Sequence, residues 1–527
     1  MAEIMAPTGR QEKSAMRKMF IRMTCLLACD ILKREKRRRV LYKFKGKKST
    51  TSKDGLSMQI ENEIEYAARK IISSNYQIGL TQEELDDAVN RAKEALKTGG
   101  LDFSRVESLV LTQDGHTRHV YRYSDMLAPE NIICQCLKQL LDKVFRVRYP
   151  NRNKMVKTLF NTLPAVVQMS AFTIVKFDFK NYFNSLSATY VYEKFLKNRL
   201  SFRKDADLIK KFVEETQYTY AGLSTSNAMA EIAASAFDCA VHQRFSQSGM
   251  IYYERYIDDS ILVLNRNWES QKIQSILEQV LQEIFHDTQI KYGKPCKTSF
   301  NMKKFCCVSE KDLSQKHMKI NYLGYEFDFF IQDMEKRKVE LTYGITEEKR
   351  KKYCRRVGKL IKLYNDPASP DYHDVELLRQ RLRAFTSRVV YVSKYSSGNV
   401  WKVKGFISNY SELRYFEDNK TLEKNTADFL KNMVIREFQS QRTPIPYFLT
   451  MYTTSDREKR NAASGYDLYK NMKSNRTLLF VEGIGYDYDA FQKLCQKVHI
   501  RPIDSNGIRK SYNELVKEYL IRMKVGF

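Results

Sequence analysis

Several features are scarce or absent in this sequence of 527 residues, and each absence excludes a class of protein. The ten cysteines include no pair of C-x-x-C knuckles, which argues against structural zinc and against a disulfide framework. No stretch approaches the roughly eighteen apolar residues of a membrane span, and the run Met23–Cys29 is too short and too far inside for a secretory signal. We therefore expect no membrane partner, a cytoplasmic location and reduced thiols.

Positive charge and aromatic rings, by contrast, are abundant. The 90 Lys and Arg residues outnumber the 62 Asp and Glu residues, giving a formal charge of +28, and the chain has 33 Tyr and 29 Phe. Cations for phosphate and flat rings for stacking on bases are both supplied, and +28 is far more charge than solubility requires. The composition indicates a nucleic-acid partner.

Two adjacent carboxylates stand between two strand-forming runs. Met250–Tyr256 and Ile261–Leu264 are rich in β-branched and aromatic residues, and Asp258 and Asp259 lie at the bend between them. A solvated turn would explain the pair if it stood alone. A third carboxylate, Asp178, ends another apolar run, so two neighbouring strands can bring all three to one spot, where Mg²⁺ would neutralise them.

These carboxylates occur in the order and context of motifs A and C of reverse transcriptases, with a small-residue loop at Gly222 between them as motif B. Further segments resemble other motifs of that family: Asp114–Arg118 the fingers motif, Lys297-Thr298 the segment after the catalytic hairpin, and Tyr322–Tyr325 the primer grip. The details resemble bacterial reverse transcriptases of the retron, abortive-infection and defence-associated groups: Arg255 before the Tyr, and Ala230-Glu231 with Phe237-Asp238 after motif B. One departure is Gly222-Leu-Ser-Thr-Ser226, where the family commonly has G-x-P-x-G.

The resemblance implies an α+β protein with the right-hand polymerase arrangement of fingers, a palm with an antiparallel sheet, and a helical thumb, followed by an α-helical C-terminal extension. The expected division is a basic N-terminal extension at 1–60, fingers and palm at 61–345, a helical thumb-like region at 346–450 and a C-terminal helical region at 451–527.

The resemblance also implies roles for individual residues. Asp178, Asp258 and Asp259 would be catalytic and, with the backbone carbonyl of Phe179, would bind two Mg²⁺ ions, with Mn²⁺ as a substitute. The residues expected to bind the nucleotide are Arg118 (with Arg122 or Arg152 as helpers), Phe183 as the sugar gate, Gly222, Thr225 and Lys297 (or Lys303 or Lys304 in its place). The residues expected to bind RNA or DNA are Arg152, Tyr256, Leu323 and Gly324.

The expected activity is that of an RNA-directed DNA polymerase, a nucleotidyltransferase that makes cDNA from dNTPs. The template would be a dedicated noncoding RNA in bacterial antiphage defence, and homo-oligomer formation stays open. Two alternatives remain at this point: a template-independent or protein-primed DNA polymerase, and an RNA-binding scaffold with an inactive palm.

Overall fold

The structure is a computed structural model that describes residues 60–74, 82–113, 116–313, 317–333, 335, 337–395, 398–415, 421–450, 466–504 and 506–524. The predicted N-terminal extension, except Ile60, and Asp114 and Gly115 of the fingers motif lie outside these residues. None of the helices in the described part of the chain is both long and apolar enough to cross a lipid bilayer.

The helices follow the apolar periodicity of the sequence. In the helix Glu347–Asn365, for example, Tyr353, Val357, Leu360 and Ile361 are buried on one face, as the 3.6-residue period predicts. The α-helices are α1 (Ile64–Ser74), α2 (Gln82–Thr98), α3 (Pro129–Phe145), α4 (Arg152–Val166), α5 (Tyr182–Ser185), α6 (Ala188–Val191), α7 (Arg203–Thr216), α8 (Ser224–Phe245), α9 (Ser270–Phe285), α10 (Glu347–Asn365), α11 (Val375–Phe385), α12 (Phe406–Asn409), α13 (Lys424–Ser440), α14 (Tyr447–Thr450), α15 (Leu468–Lys473), α16 (Tyr488–Gln496) and α17 (Tyr512–Arg522).

The strands form four small sheets. They are β1 (Glu107–Gln113), β2 (His116–Arg122), β3 (Thr173–Asp178), β4 (Met250–Tyr256), β5 (Asp259–Leu264), β6 (Cys306–Ser309), β7 (Met318–Tyr322), β8 (Tyr325–Asp333), β9 (Lys338–Ile345), β10 (Arg388–Tyr395), β11 (Gly398–Lys404) and β12 (Thr477–Phe480). The strand orders are β1-β2, β4-β5-β3-β6, β7-β8-β9 and β11-β10-β12. The first three sheets are antiparallel, which confirms the α+β class with antiparallel sheets.

The sheet β4-β5-β3-β6, here called the central sheet, separates two hydrophobic cores. Val175 and Phe177 of β3 point into a core shared with α8 and α9, whereas Ile174 points into a second core shared with α4 and β8. Because successive side chains of a strand point to opposite faces, every residue of β3 is buried. The polar residue of β3, Asp178, therefore lies at the end of a strand that is covered on both faces.

The regions 346–450 and 451–527 contain strands as well as helices, which corrects the expectation that they are helical: β10 and β11 lie in the first region and β12 in the second. β10 pairs antiparallel with β11 and parallel with β12, and α11, α16 and α17 share a third core with this sheet. The signal was present, because Val389, Val390, Tyr391 and Val392 form a β-branched and aromatic run. Parallel pairing of β10 with a strand almost ninety residues later cannot be read from local pattern.

Candidate active site

The three candidate carboxylates meet at one end of the central sheet. β4 and β5 form a hairpin, in which Asp259 opens β5 and pairs with Tyr256, while Asp258 lies in the turn. β5 also pairs with β3, and in that register Asp259 stands directly opposite Asp178. The sequence prediction that two strands bring these residues to one place is therefore reproduced by the strand register. Tyr256 itself is half-buried and packs on the second core.

The turn that carries Asp258 is held in a left-handed conformation. Ile257 has a φ of 60°, which is uncommon for a β-branched residue. Two hydrogen bonds fix it: the amide of Phe179 donates to the Asp258 carbonyl at 3.1 Å, and Arg255 Nη1 donates to the Ile257 carbonyl at 2.7 Å. The backbone at Asp258 is thus tied both to the end of β3 and to the side chain of Arg255.

Arg255 belongs to a buried ion network that sequence reasoning noticed only as a resemblance. Its side chain is 1% exposed and donates to Glu231 at 2.9 and 3.2 Å and to Asp238 at 2.9 and 3.0 Å. Both carboxylates come from α8, the helix behind the loop at Gly222. Burial raises the pKa of Glu231, and the nearby guanidinium opposes that rise. The network joins α8 to the carboxylate turn.

The carboxylates raise one another's affinity for protons. Burial raises the pKa of Asp258, and the negative charge of Asp178 raises it further, whereas Lys304 and Arg118 act in the opposite direction. Burial likewise raises the pKa of Asp259 to about 6, although Lys176 opposes it. Like charges gathered in a partly desolvated place behave this way unless cations neutralise them.

Two lysines supply part of that neutralisation. Lys304 Nζ lies 2.6 Å from Asp178 Oδ2, and Lys176 Nζ lies 3.0 Å from Asp259 Oδ1. Lys176 is buried on β3, whereas the Lys304 side chain is 58% exposed. Of the lysines considered from the sequence, Lys304 is therefore the one bonded to a candidate catalytic carboxylate.

The carboxylates at this site are suitable ligands for a divalent metal ion, although their side chains do not surround a single metal position. Within the described residues, no three His, Cys, Asp or Glu side chains come together closely enough to enclose a metal ion. Asp178 Oδ1 is nevertheless buried without a hydrogen-bond partner, and carboxylate oxygens are the ligands that Mg²⁺ prefers. Phe179 is held in place at the strand end, with its ring 2% exposed and stacked on Tyr182 at 4.8 Å.

The hairpin β1–β2 places a cation near the carboxylates. Arg118 is exposed on β2, and its positive charge partly opposes the rise in the pKa of Asp258 that burial causes, so the two lie within electrostatic range. Arg122, its expected helper, is exposed at the far end of the same strand, where it stands opposite Glu107 in the register of β1 and β2. Arg118 is therefore the better placed of the two to meet an anionic group at the carboxylates.

The loop at Gly222 packs directly on β2. The Tyr121 amide donates to the Ala221 carbonyl at 2.8 Å, and Gly222 has a φ of 113°. A Cβ at Gly222 would lie 2.3 Å from the Tyr121 carbonyl oxygen, so no side chain fits there. Thr225, expected to bind nucleotide, is instead fully buried and donates to the Cys134 carbonyl at 2.8 Å. That residue anchors α8 on α3.

Gly222→Ala should destabilise this loop by about 1–3 kcal/mol and lower nucleotide incorporation, because the new methyl group clashes with β2 and the positive φ becomes strained. Thermal unfolding and an incorporation assay measure the two effects. Gly483→Ala is the matched control, since Gly483 also has a positive φ but nothing lies within 4 Å of an added Cβ. Equal losses of stability in both variants would mean that contact with β2 has no importance.

Phe183 lies beside this loop rather than deep in the core. It sits in α5 and is half-buried, and its carbonyl accepts a hydrogen bond from Thr219 Oγ1 at 2.8 Å. The exposed Lys297 joins the same region, because its amide donates to the Ser185 carbonyl at 2.7 Å. The structure therefore brings Phe183 and Lys297 together at one segment, while Lys304 contacts the carboxylates.

Three tyrosines in this region were missed by sequence reasoning. Tyr121 of β2 stacks on Tyr220 with ring centroids 4.0 Å apart, and Tyr220 is 6.3 Å from Tyr218. Lys297 Nζ lies over the Tyr218 ring at 5.5 Å. All three rings are half-buried, so they keep a face toward solvent. The chain has 33 tyrosines, and these three differ from the others in that folding brings the segment of Tyr121 against the distant segment of Tyr218 and Tyr220.

The turn between β7 and β8, expected to grip a nucleic-acid strand, is fixed by Arg152. Leu323 and Gly324 both have positive φ, as a two-residue hairpin turn requires. Arg152 donates to the Leu323 carbonyl at 2.6 Å and to the Asn409 carbonyl at 2.8 Å. Its guanidinium is thus bonded to the backbone of two segments, and its expected part in holding a triphosphate or in binding RNA or DNA stays a prediction.

Comparison with known proteins gives limited similarity. No protein-family model matches the sequence, and a search of curated proteins finds no match. Among solved structures, the chain is similar to telomerase from Candida albicans in a complex with the TWJ fragment of telomeric RNA, at 12% identity and a TM-score of 0.37. That similarity covers 79% of this chain and spans 66% of the telomerase chain.

Proposed function

We propose that this protein is an RNA-directed DNA polymerase that adds dNTPs to a primer 3′ end. The observation that supports it most is the register of the central sheet, which sets Asp178 opposite Asp259 with Asp258 in the adjoining turn. Carboxylates on two neighbouring strands at one sheet end suit phosphoryl transfer, which depends on positioning and charge neutralisation. In this proposal the central sheet belongs to the palm, the hairpin β1–β2 to the fingers and α10 with α13 to the thumb.

Asp178, Asp258 and Asp259, with the Phe179 carbonyl, would hold the metal. Two bound Mg²⁺ ions would supply a lowered pKa for the attacking 3′-hydroxyl and neutralisation of the triphosphate. Cations bound here would compete with Lys304 and Lys176 for Asp178 and Asp259. We assign Mg²⁺, with Mn²⁺ as a substitute, as the cofactor.

The remaining groups orient the substrate and handle the proton. Arg118 would bind the triphosphate through its forked donors, because it is exposed and within range of Asp258. Lys304 would give a proton to the departing pyrophosphate: hydrogen bonding to Asp178 raises the pKa of Lys304 against the effect of burial, which keeps the ammonium charged until its partner changes. Phe183 would exclude the 2′-hydroxyl.

Primer extension tests the proposal. Purified protein is given Mg²⁺, dNTPs and a primer annealed to RNA or to DNA of the same sequence, and product sequence is compared with the template. Templated cDNA on RNA supports the proposal. Products that ignore the template, or that stay attached to protein, support the template-independent or protein-primed alternative instead. If the protein binds RNA but synthesises no DNA under any of these conditions, the result supports the remaining alternative, an RNA-binding scaffold with an inactive palm.

The biological setting is a further part of the proposal. Arg255, Glu231 and Asp238 belong to the segments that resemble bacterial defence-associated reverse transcriptases in sequence, and they form one ion network around the buried Arg255. That joint arrangement supports membership of those groups, with a dedicated noncoding RNA as template. Sequencing the RNA that copurifies with the protein tests it: a single enriched RNA species is the expected result, and a broad mixture that mirrors total cellular RNA contradicts it.

Phe183→Val should raise the rate of rNTP incorporation relative to dNTP by up to about a hundredfold, because the smaller side chain leaves room for the 2′-hydroxyl. Single-nucleotide kinetics with both substrates measure the ratio. Phe195→Val is the matched control, since Phe195 is also half-buried against the same core. An unchanged ratio in a folded, active Phe183→Val protein would remove the residue from sugar selection.

A further inference from the structure

A cluster of three arginines lies where α11, β10 and β12 meet in the C-terminal sheet. Arg383 is in the last turn of α11, Arg388 opens β10, and Arg476 immediately precedes β12. The Arg388 amide donates to the Arg476 carbonyl at 2.9 Å, which fixes the two backbones side by side. Arg383, Arg388 and Arg476 are here called the arginine cluster.

The positive charge of the arginine cluster has no counter-charge in the described part of the chain, where no carboxylate pairs with any of its members. The nearby Glu376 binds Arg379 at 3.3 Å and Gln380 at 2.7 Å instead. The Nε atoms of Arg383 and Arg388 are buried without a hydrogen-bond acceptor. Burial lowers the pKa of Arg476, and the charge of Arg383 lowers it further. Such an arrangement is costly unless an anion from outside completes it.

Two tyrosines extend this set of donors. Arg383 Nη2 donates to Tyr486 Oη at 2.9 Å, and Arg379 Nε donates to Tyr466 Oη at 3.2 Å. A phenol that accepts a hydrogen bond from arginine keeps its own O–H as a donor. The half-buried cluster and the two tyrosines therefore offer guanidinium N–H and phenol O–H donors together, and the phenol oxygens already accept from arginine.

We infer that the arginine cluster, with Tyr466 and Tyr486, binds a phosphate group. Several guanidinium groups from different elements suit a compact anion that accepts hydrogen bonds in several directions, as phosphate does, better than a planar carboxylate that one arginine already satisfies. The phosphate can belong to the backbone of a nucleic-acid strand or to a free nucleotide. This site lies on other elements than the carboxylates, and its assignment does not rest on polymerase activity.

Binding measurements on the full-length chain test this inference. Thermal unfolding is followed with inorganic phosphate, and affinities are measured for adenosine monophosphate and for a short single-stranded RNA with a 5′-hydroxyl end. The double variant Arg383→Gln/Arg476→Gln should lose the stabilisation by inorganic phosphate and bind at least one of the two ligands about tenfold or more weakly. Weakened RNA binding alone identifies a strand phosphate, and weakened monophosphate binding alone identifies a nucleotide.

A matched control distinguishes phosphate binding at the arginine cluster from general attraction of phosphate by the positive charge of the protein. Lys497→Gln/Arg501→Gln removes two exposed charges from the segment that follows α16 and should leave phosphate stabilisation intact. Tyr486→Phe, which removes only a hydroxyl, should weaken binding to an intermediate degree and remains informative if the arginine variant does not fold. Identical responses to all three ligands in the wild type, Tyr486→Phe and any folded arginine variant would overturn the inference. Since no step measures nucleotide incorporation, an inactive polymerase does not affect the result.

Discussion

Asp178→Asn and Asp258→Asn should each lower the rate of nucleotide incorporation by at least about a thousandfold. Each change removes a charged oxygen ligand but almost no volume, and a loss of about 4 kcal/mol of transition-state stabilisation corresponds to that factor. Asp178 is the stronger case, because its buried Oδ1 has no hydrogen-bond partner in the described structure and Oδ2 is bonded only to the exposed Lys304. Primer extension in Mg²⁺ measures the effect.

Stability distinguishes a catalytic role from a structural one for Asp258. Burial and the charge of Asp178 raise the pKa of Asp258, so the ionised carboxylate is less favourable in the folded chain than in the unfolded chain. Without added metal at neutral pH, the free energy of unfolding of Asp258→Asn should therefore equal or exceed that of the wild type. The difference should shrink as pH falls through the raised pKa, because the wild-type carboxyl then becomes protonated.

The control for these variants is Asp207→Asn, which alters an exposed carboxylate on α7 by the same atoms. It should change neither activity nor stability. Near-normal incorporation by Asp178→Asn or Asp258→Asn would show that these carboxylates are not the catalytic set. Loss of activity together with a large loss of stability would instead assign them a structural role.

The carboxylate turn could be predicted from the sequence because its signals are local. Strand-forming runs flank Asp258 and Asp259, another ends at Asp178, and β4 and β5 lie within two residues of the bounds expected from the sequence. Asp178 and Asp259 stand opposite each other because β3 pairs with β5 in this register. The local sequence pattern was therefore enough to predict the position of a side chain that lies at the end of a strand.

The partners of these residues could not be predicted, since tertiary packing selects them. The sequence does not distinguish Lys304 from Lys297 or Lys303, whereas in the folded chain its Nζ lies 2.6 Å from Asp178 Oδ2. Thr225 lies in a promising loop, yet the first turn of α8 directs its hydroxyl into the core. Tyr121 and Tyr220 are 99 positions apart in the chain, and nothing in either segment indicates that their rings stack.

Arg255→Met should lower the free energy of unfolding by about 3–5 kcal/mol and strongly reduce activity. The change leaves the buried Glu231 and the partly exposed Asp238 with no positive partner, and an uncompensated buried charge destabilises the folded chain more than the intact ion pairs stabilise it. Burial already raises the pKa of Glu231, and without the guanidinium that pKa should rise further. The variant should therefore regain stability as pH falls, because Glu231 takes up a proton in the folded chain before it does in the unfolded chain.

Loss of stability alone would not show that Arg255 positions the turn, so a second variant is needed. Arg255→Met combined with Glu231→Gln and Asp238→Asn removes the uncompensated charges and should recover most of the stability. Activity should stay low, because the Ile257 carbonyl still lacks the donor that holds the left-handed turn beneath Asp258. Denaturant unfolding and single-turnover incorporation measure the two properties. If the triple variant recovers activity along with stability, Arg255 serves only to balance buried charge. If only stability returns, the guanidinium bond to the Ile257 carbonyl sets the position of Asp258.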